Sequence, residues 1–226
     1  PEIDRSPTML RAASERDEKG RLVCRVQAAP KPSFVWARAQ KALNNTQSGG
    51  KYLIESRQID PLTYESILLV DKVESNDYGL YECRATNEIG TSRENIRLDV
   101  TSKPDAPLSL NVLNTTHDSV SLAWTPGFDG GLKTTYQLRY REGNAATYHY
   151  YDGLPNVYKL VVEGLKSNTI YLFSISAMNN LGTSGWLADT TKAHTKGKRF
   201  FFIHTYIDFP IDDMREYLIA RFIQKL

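Results

Sequence analysis

Two cysteines and one tryptophan constrain the fold of this chain more than any other feature. Cys24 and Cys83 are the only cysteines among its 226 residues, and they lie 59 positions apart. Trp36 follows Cys24 by 12 positions, and Cys83 ends the motif Asp-x-Gly-x-Tyr-x-Cys that begins at Asp77. Cys24 and Trp36 also lie in runs of alternating apolar and polar residues, which is the pattern of half-buried strands.

Alternation of this kind recurs through the first half of the chain, and turn-forming stretches such as APKP interrupt it. The apolar residues that share a face are Leu22, Cys24 and Val26; Phe34 and Trp36; Leu68 and Val70; and Ile96, Leu98 and Val100. Short alternating strands separated by polar breaks indicate two antiparallel sheets packed face to face.

These residues resemble the immunoglobulin family, in particular its intermediate set, and the resemblance covers residues 1–102. In that family the two cysteine-bearing strands face each other across the core. The resemblance therefore implies a disulfide between Cys24 and Cys83, with Trp36 packed on the sulfurs. The alternative is a pair of buried free thiols.

The same resemblance gives roles to two more residues of the motif that begins at Asp77. Tyr81 is expected to form a tyrosine corner, in which its hydroxyl bonds to nearby backbone. Gly79 is expected at a tight bend that a side chain would obstruct. A disulfide points to an oxidising compartment, and closing its loop would contribute about 4 kcal/mol in the chain-entropy model.

The second half of the chain contains no cysteine, so apolar packing alone has to hold it together. It follows the segment TSKPDAP at residues 101–107, whose prolines predict a short linker with restricted bending. Its alternating apolar sets are Val120, Leu122 and Trp124; Tyr136, Leu138 and Tyr140; and Tyr171, Phe173, Ile175 and Ala177.

Trp124 and the run Leu165-x-x-x-Thr169-x-Tyr171 resemble the fibronectin type III family, over residues 103–195. The resemblance implies that Trp124 fills the core and that Leu165 and Tyr171 belong to a second tyrosine corner. The integrin-binding tripeptide Arg-Gly-Asp is absent. The chain is therefore predicted to be all-β, with two tandem β-sandwiches and a short C-terminal tail.

The tail, residues 196–226, fits neither sandwich pattern. Its apolar residues Ile211, Met214, Leu218 and Phe222 recur at helical spacing, with basic residues between them. This pattern predicts an amphipathic helix that binds a membrane or a partner helix. The alternative is a weakly ordered end.

No set of residues indicates catalysis, a metal or a cofactor. The histidines lie apart from one another and from the cysteines, without metal-ligand spacing. The glycines of PGFDGGL have no helix after them, so they belong to a loop rather than a phosphate site. The balanced net charge of +2 indicates no nucleic-acid surface. No apolar run approaches the ~20 residues that cross a bilayer, and the chain reads as a segment of a longer protein.

Two sequence features predict a modified surface. NNT at Asn44 and NTT at Asn114 satisfy the rule for N-linked glycosylation. Each triplet is common by chance, but both agree with the secretory history that the implied disulfide requires. We therefore predict glycans on Asn44 and Asn114.

Four consecutive aromatic residues at positions 148–151 predict a contact surface. Neighbouring residues of a strand point to opposite faces, so these rings cannot all be buried. Exposed tyrosine is enriched at protein contacts, which makes Tyr148, Tyr150 and Tyr151 candidates for touching a partner. The alternative is an ordinary edge strand with solvent-facing tyrosines.

The two resemblances together are typical of the extracellular part of adhesion receptors. The stretch DEKGRLVCRVQAAPKPSFVWAR, before a type III domain, is similar to the Echinoid-type adhesion molecules of insects, relatives of the nephrin group. This implies a binding or spacer role in homophilic or heterophilic contact between cells, with associated signalling and protein partners, on the outer side of the plasma membrane. The alternatives are the ectodomain of a receptor tyrosine phosphatase or kinase, an intracellular muscle protein, and a secreted binding protein.

Overall fold

The computed structural model describes residues 1–45, 49–155, 157–187 and 191–198. Within these ranges the chain forms strands and turns, which confirms the predicted all-β class. No helix that could cross a membrane is found in the described part. Residues 1–196 form one compact unit. The amphipathic helix predicted for the tail falls outside the described residues.

The first sandwich consists of two sheets. One sheet has the strand order β1-β3-β7-β6, and the other has the order β2-β9-β8-β4-β5, in which β2 runs parallel to β9. The strands are β1 (Glu2–Ile3), β2 (Arg11–Ala13), β3 (Gly20–Gln27), β4 (Ser33–Arg38), β5 (Lys41–Ala42), β6 (Tyr52–Gln58), β7 (Thr63–Val70), β8 (Gly79–Asn87) and β9 (Gly90–Asp99).

The core of the first sandwich follows from the period-two alternation of its strands. Leu22, Cys24 and Val26 of β3 are buried, whereas the residues between them point outward. Tyr81, Cys83 and Ala85 of β8 and Ile96 and Leu98 of β9 are buried in the same cluster. The alternation predicted one further buried residue, Val100, and this was wrong: β9 ends at Asp99, and Val100 is 51% exposed between β9 and the linker.

The second sandwich also consists of two sheets. One has the order β10-β11-β14; the other has the order β13-β12-β15-β16, and its β15 also pairs with β17. The strands are β10 (Ser109–Thr115), β11 (Val120–Thr125), β12 (Thr135–Glu142), β13 (His149–Pro155), β14 (Lys159–Val162), β15 (Ile170–Asn179), β16 (Gly182–Trp186) and β17 (Thr191–His194).

Aromatic rings form much of the second core. Trp124 packs edge-on against Tyr136 with ring centroids 5.5 Å apart, and Tyr140 stacks on Phe173 at 5.8 Å. These contacts join β11 of one sheet to β12 of the other, and β12 to its neighbour β15. Large aromatic side chains bury much apolar surface each, which stabilises this sandwich without a covalent link between its sheets.

Candidate binding surface

Cys24 on β3 and Cys83 on β8 form a disulfide, with Cα atoms 6.4 Å apart. Its two strands belong to different sheets, so the bond ties the sandwich across its core. Trp36 is fully buried in the same cluster, beside Cys83 in the register of β4 and β8. Its Nε1–H donates to the Ser66 hydroxyl oxygen at 2.9 Å, so the indole is both packed and hydrogen-bonded.

Tyr81 closes a tyrosine corner at the start of β8. Its hydroxyl donates to the Asp77 carbonyl oxygen at 2.8 Å. Burial raises the pKa of Tyr81, which keeps the hydroxyl protonated and able to donate. The Asp77 carboxylate accepts a hydrogen bond from the Glu74 backbone N–H at 2.8 Å and pairs with Lys51 at 2.6 Å. The corner therefore binds the loop before β8 to the core.

Gly79 lies at this corner for a different reason than the sequence predicted. A Cβ atom at Gly79 would meet no atom within 4 Å, so a side chain would not be obstructed. The backbone has φ of 130°, however, a conformation that residues with a side chain rarely adopt. The requirement for glycine is therefore conformational, and the prediction of steric obstruction was wrong.

The type III signature residues lie together in the second core. Trp124 and Leu165 are buried, and the Tyr171 hydroxyl accepts a hydrogen bond from the Lys166 backbone N–H at 2.9 Å. The Thr169 backbone N–H donates to the Thr195 hydroxyl oxygen at 2.9 Å. Trp124 differs from Trp36 in one respect: its buried Nε1 finds no hydrogen-bond partner among the residues that the structure describes.

The two predicted glycosylation sites differ in their surroundings. Asn114 is exposed on the edge strand β10, beside a bulge in its pairing with β11. Asn44 is half-buried, next to Asn45, whose side-chain oxygen accepts a hydrogen bond from the Ile54 N–H at 2.8 Å. The exposure of Asn114 makes it the simpler of the two positions for carrying a glycan.

The four aromatic residues at 148–151 divide between two faces of the sheet. Tyr151 pairs with the buried Leu138 and packs against the core, where it stacks on Tyr140. Tyr150 pairs with Arg139 on the opposite face and is 52% exposed. Tyr148 lies on that outer face as well, under the Arg139 guanidinium. Tyr151 is therefore removed from the candidate contact residues, because the alternation of the strand turns it inward.

Two further residues of this outer face were missed from the sequence. The Arg139 guanidinium lies 4.5 Å from the ring centroid of Tyr148 and 4.1 Å from that of Trp186. Trp186 also lies 6.2 Å from Tyr150. Trp186 is the one tryptophan of the three that the core patterns leave unused, and this was the signal available in the sequence.

The first sandwich carries a different charged group on its outer face. Glu65 on β7 is buried between Arg25 on β3 and Arg57 on β6, and each arginine donates to one of its carboxylate oxygens, with the shortest contacts at 2.7 Å. Burial alone would raise the pKa of Glu65, but hydrogen bonds and charge from Arg25 and Arg57 outweigh it and hold the pKa below its usual value. The cluster joins three strands.

The linker is fixed to both sandwiches. The Ser102 N–H donates to the Gly130 carbonyl oxygen at 3.0 Å, and the Asp105 N–H donates to that of Phe128 at 2.8 Å. Arg11 of the first sandwich forms an ion pair with Asp105 and lies over the Phe128 ring, 4.2 Å from its centroid. Restricted bending of the linker stays a prediction, which these contacts support in addition to the prolines.

Two glycines of the PGFDGGL loop permit this close approach. Gly130 and Gly131 both have positive φ, 75° and 80°. A Cβ at Gly130 would strike the carbonyl oxygen of Ser102, and one at Gly131 would lie 2.7 Å from that of Ala13. Any side chain at either position would push the linker or the first sandwich away from the loop.

Comparisons with known proteins agree with this architecture. Residues 1–100 match the Immunoglobulin I-set domain family, and residues 105–192 match the Fibronectin type III domain family. Nephrin of Mus musculus is 34% identical over 189 residues, which is 82% of this chain and 15% of nephrin. Nephrin of Homo sapiens is likewise 34% identical, over 190 residues, 80% of this chain and 14% of that protein.

A second relative carries an explicit functional name. Cell adhesion molecule DSCAM of Homo sapiens is 31% identical over 178 residues, 78% of this chain and 8% of that protein. This chain therefore spans a small part of the length of each curated relative it matches. Both alignments run across the two sandwiches. The chain therefore carries an I-set immunoglobulin domain followed by a fibronectin type III domain.

Proposed function

We propose that this chain is part of the extracellular region of a cell-surface adhesion receptor, where it binds a partner or sets the spacing of other domains. The observation that carries the proposal is the alignment of both sandwiches, in the same order, with Cell adhesion molecule DSCAM. The disulfide between Cys24 and Cys83 supports export from the cell, because such bonds persist in oxidising compartments.

The proposed mechanism is binding rather than catalysis. Residues 1–196 offer two sheet faces with charged and aromatic side chains, on sandwiches joined by a bonded linker. Such a unit holds its faces in a defined relation to the rest of a receptor. The partners would be other cell-surface receptors, in homophilic or heterophilic contact at cell junctions.

Bead aggregation tests this function. Beads coated with the complete ectodomain that contains this chain are compared with beads whose ectodomain lacks residues 1–196. If these residues bind or position the contact, clustering falls. Replacement of the deleted part by an unrelated pair of sandwiches separates the two roles, because it restores clustering for a spacer and not for a contact. Unchanged clustering after deletion would contradict the proposal.

Mass spectrometry tests the extracellular address independently. Cell-derived protein, alkylated without reduction, should contain Cys24 and Cys83 as a linked peptide pair. We also propose N-linked glycans on Asn44 and Asn114, which peptide N-glycosidase should remove with a mass change at each asparagine. Free thiols at Cys24 and Cys83 would instead favour an intracellular protein of the muscle type.

A further inference from the structure

The outer face of the second sandwich bears a group of basic and aromatic side chains that takes no part in the core. We name this group the Arg139 surface and define it as Arg139 and Arg141 of β12, Tyr148 just before β13, Tyr150 of β13, and Trp186 at the end of β16. Strand alternation turns these residues away from the core-facing Leu138 and Tyr140.

Two buried serines shape this surface. Ser174 and Ser176 lie on the outer face of β15, between β12 and β16, yet both are buried. Arg139 is paired with Ser174 in the register, and Trp186 is paired with Ser176. The small serine side chains leave room for Arg139 and Trp186 to meet above them, with the guanidinium 4.1 Å from the indole centroid.

The Arg139 guanidinium is held between aromatic rings, and none of the described residues accepts a hydrogen bond from it. Tyr148 and Trp186 both contact it by their ring faces, and its Nε is buried without a partner. Arg139 as a whole is half-buried, and within the described residues no hydrogen bond or ion pair involves its terminal nitrogens. Arg141, in contrast, donates to the carbonyl oxygens of Gly143 and Ala145.

The acidic residues nearest to Arg139 form other contacts. Asp152 lies on β13 beside this surface and accepts a hydrogen bond from the Gln137 side chain, and Glu142 pairs with Lys166 at 2.7 Å. On the first sandwich, by comparison, the buried Glu65 carboxylate forms ion pairs with both Arg25 and Arg57. Within the described residues, the Arg139 surface thus presents positive charge without a carboxylate of its own to pair with Arg139.

This arrangement favours binding of a carboxylate. A guanidinium binds a carboxylate through two parallel hydrogen bonds, and these are stronger than neutral ones. Because the two rings already hold the Arg139 side chain, less conformational entropy is lost when a ligand binds. Arginine, tryptophan and tyrosine are also the residues that most often dominate the energy of protein interfaces.

We propose that the Arg139 surface binds an acidic segment of a partner protein, with a carboxylate on the terminal nitrogens of Arg139 and apolar contact on Tyr150 and Trp186. This proposal rests on the proposed adhesive function and specifies the chemistry of the partner segment that the chain would bind. A sulfated polysaccharide would need a longer run of free cations. Here two cations lie among aromatic rings, and one of them already bonds to backbone, which favours a protein.

Amide chemical shifts of the whole chain test the proposal directly. The probes are a short glutamate-rich peptide, the same peptide with glutamine in place of glutamate, and a heparin hexasaccharide. The glutamate peptide should shift amides around Arg139, Tyr150 and Trp186, and added salt should weaken it. Arg139→Gln should weaken its binding about tenfold, as expected for one charge-assisted pair, and Arg139→Lys should weaken it less.

Matched variants separate this effect from misfolding. Arg93→Gln removes the same charge from an exposed position of the first sandwich and should leave binding unchanged. Tyr150→Ser changes a side chain that is half exposed, so the fold should persist while the peptide binds several-fold more weakly. Equal binding of the glutamine peptide, selective binding of heparin, or full binding by Arg139→Gln would each overturn the proposal.

Bead aggregation distinguishes this inference from the proposed function. If deletion of residues 1–196 abolishes clustering but Arg139→Gln in the complete ectodomain does not, the adhesive role holds and the Arg139 surface is not the contact. If the glutamate peptide binds at Arg139 but deletion leaves clustering intact, the surface exists and the adhesive role fails. Loss of clustering in both cases supports the two proposals together.

Discussion

The two sandwiches keep their sheets together by different means. The first has a disulfide between Cys24 and Cys83 across its core, and the second uses aromatic contacts such as that between Trp124 and Tyr136. Both also have a tyrosine corner, although Tyr81 donates its hydrogen bond and Tyr171 accepts one. The disulfide stabilises the first sandwich by closing one loop of the unfolded chain, whereas aromatic packing distributes the stabilisation of the second over many contacts.

The outer faces of the two sandwiches also differ, in how their arginine side chains are paired. In the first sandwich, Arg25 and Arg57 both pair with the buried Glu65 carboxylate, and this cluster joins neighbouring strands. In the second, Arg139 is positioned by rings and has no ion-pair partner within the described residues. Arginines that pair with a carboxylate of the same sandwich stabilise the fold. Arg139, which is held by aromatic rings without such a pair, can instead bind a ligand.

The largest expected effect is removal of the disulfide. Replacing Cys24 and Cys83 together by alanine should cost the first sandwich about 4 kcal/mol of unfolding free energy, because the unfolded chain regains the freedom of the closed loop. Hydrogen exchange measured by residue reports the two sandwiches separately: protection should fall in β3 and β8 and persist in β12 and β15. An equal loss in the second sandwich would show that the two unfold as one unit.

Substitution of each core tryptophan tests whether the two cores depend equally on their central indole ring. Trp36→Phe should cost about 3 kcal/mol, since it creates a cavity and leaves the buried Ser66 without its indole partner. Trp124→Phe should cost about 2 kcal/mol, because it leaves a cavity but also removes an unpaired buried N–H. Urea denaturation of each variant gives the difference. A larger cost for Trp124→Phe would mean that aromatic packing outweighs the hydrogen bond.

Removal of the buried Glu65 carboxylate should have a smaller effect on the free energy of unfolding, and this effect should depend on pH. Glu65→Gln should cost about 2 kcal/mol at neutral pH, a value reduced by the partial exposure of both arginines. Because the pKa of Glu65 is lowered in the folded protein, its contribution is present above the unfolded pKa and is lost as pH falls through the folded pKa. The stability of the two proteins should therefore begin to converge as the pH falls below the unfolded pKa of about 4.3, and the convergence should be complete below the folded pKa.

Urea midpoints measured between neutral and acidic pH check this prediction. Glu94→Gln is the matched control, because Glu94 pairs with the mostly exposed Arg5 on the same sandwich. It should change stability by less than about 1 kcal/mol. A pH-independent difference between wild type and Glu65→Gln would contradict an ionised Glu65 as the source of the stability.

The sequence was sufficient where one strand determines its own pattern. Alternation in β3 and β11 identified the buried Cys24 and Trp124, and motif resemblance implied the role of Cys83 and assigned both domain families. Alternation also required that some residues at 148–151 be exposed. It could not decide which ones, because the inward face of β13 depends on its pairing with Leu138 and Arg139.

Contacts between distant segments could not be predicted in this way. Glu65 meets arginines from two other strands, and Arg139 meets Trp186 from a strand that is not its neighbour. The sequence showed Gly130 only as a glycine of a loop. The carbonyl group that excludes a side chain there belongs to Ser102, which is distant in the sequence and comes close only in the folded chain. Each of these depends on the register of the assembled sheets.

The smallest energetic effect is expected at the joint, where it should instead change orientation. Arg11→Ala should cost about 0.5 kcal/mol, because its ion pair with Asp105 is partly exposed. It also removes the contact with Phe128, so the two sandwiches should lose their fixed relation. Residual dipolar couplings should give one alignment tensor for both sandwiches in the wild type and two in Arg11→Ala.

Arg5→Ala breaks an ion pair within the first sandwich and should keep one tensor. A single tensor in both variants would mean that the backbone hydrogen bonds of Ser102 and Asp105 hold the joint without Arg11.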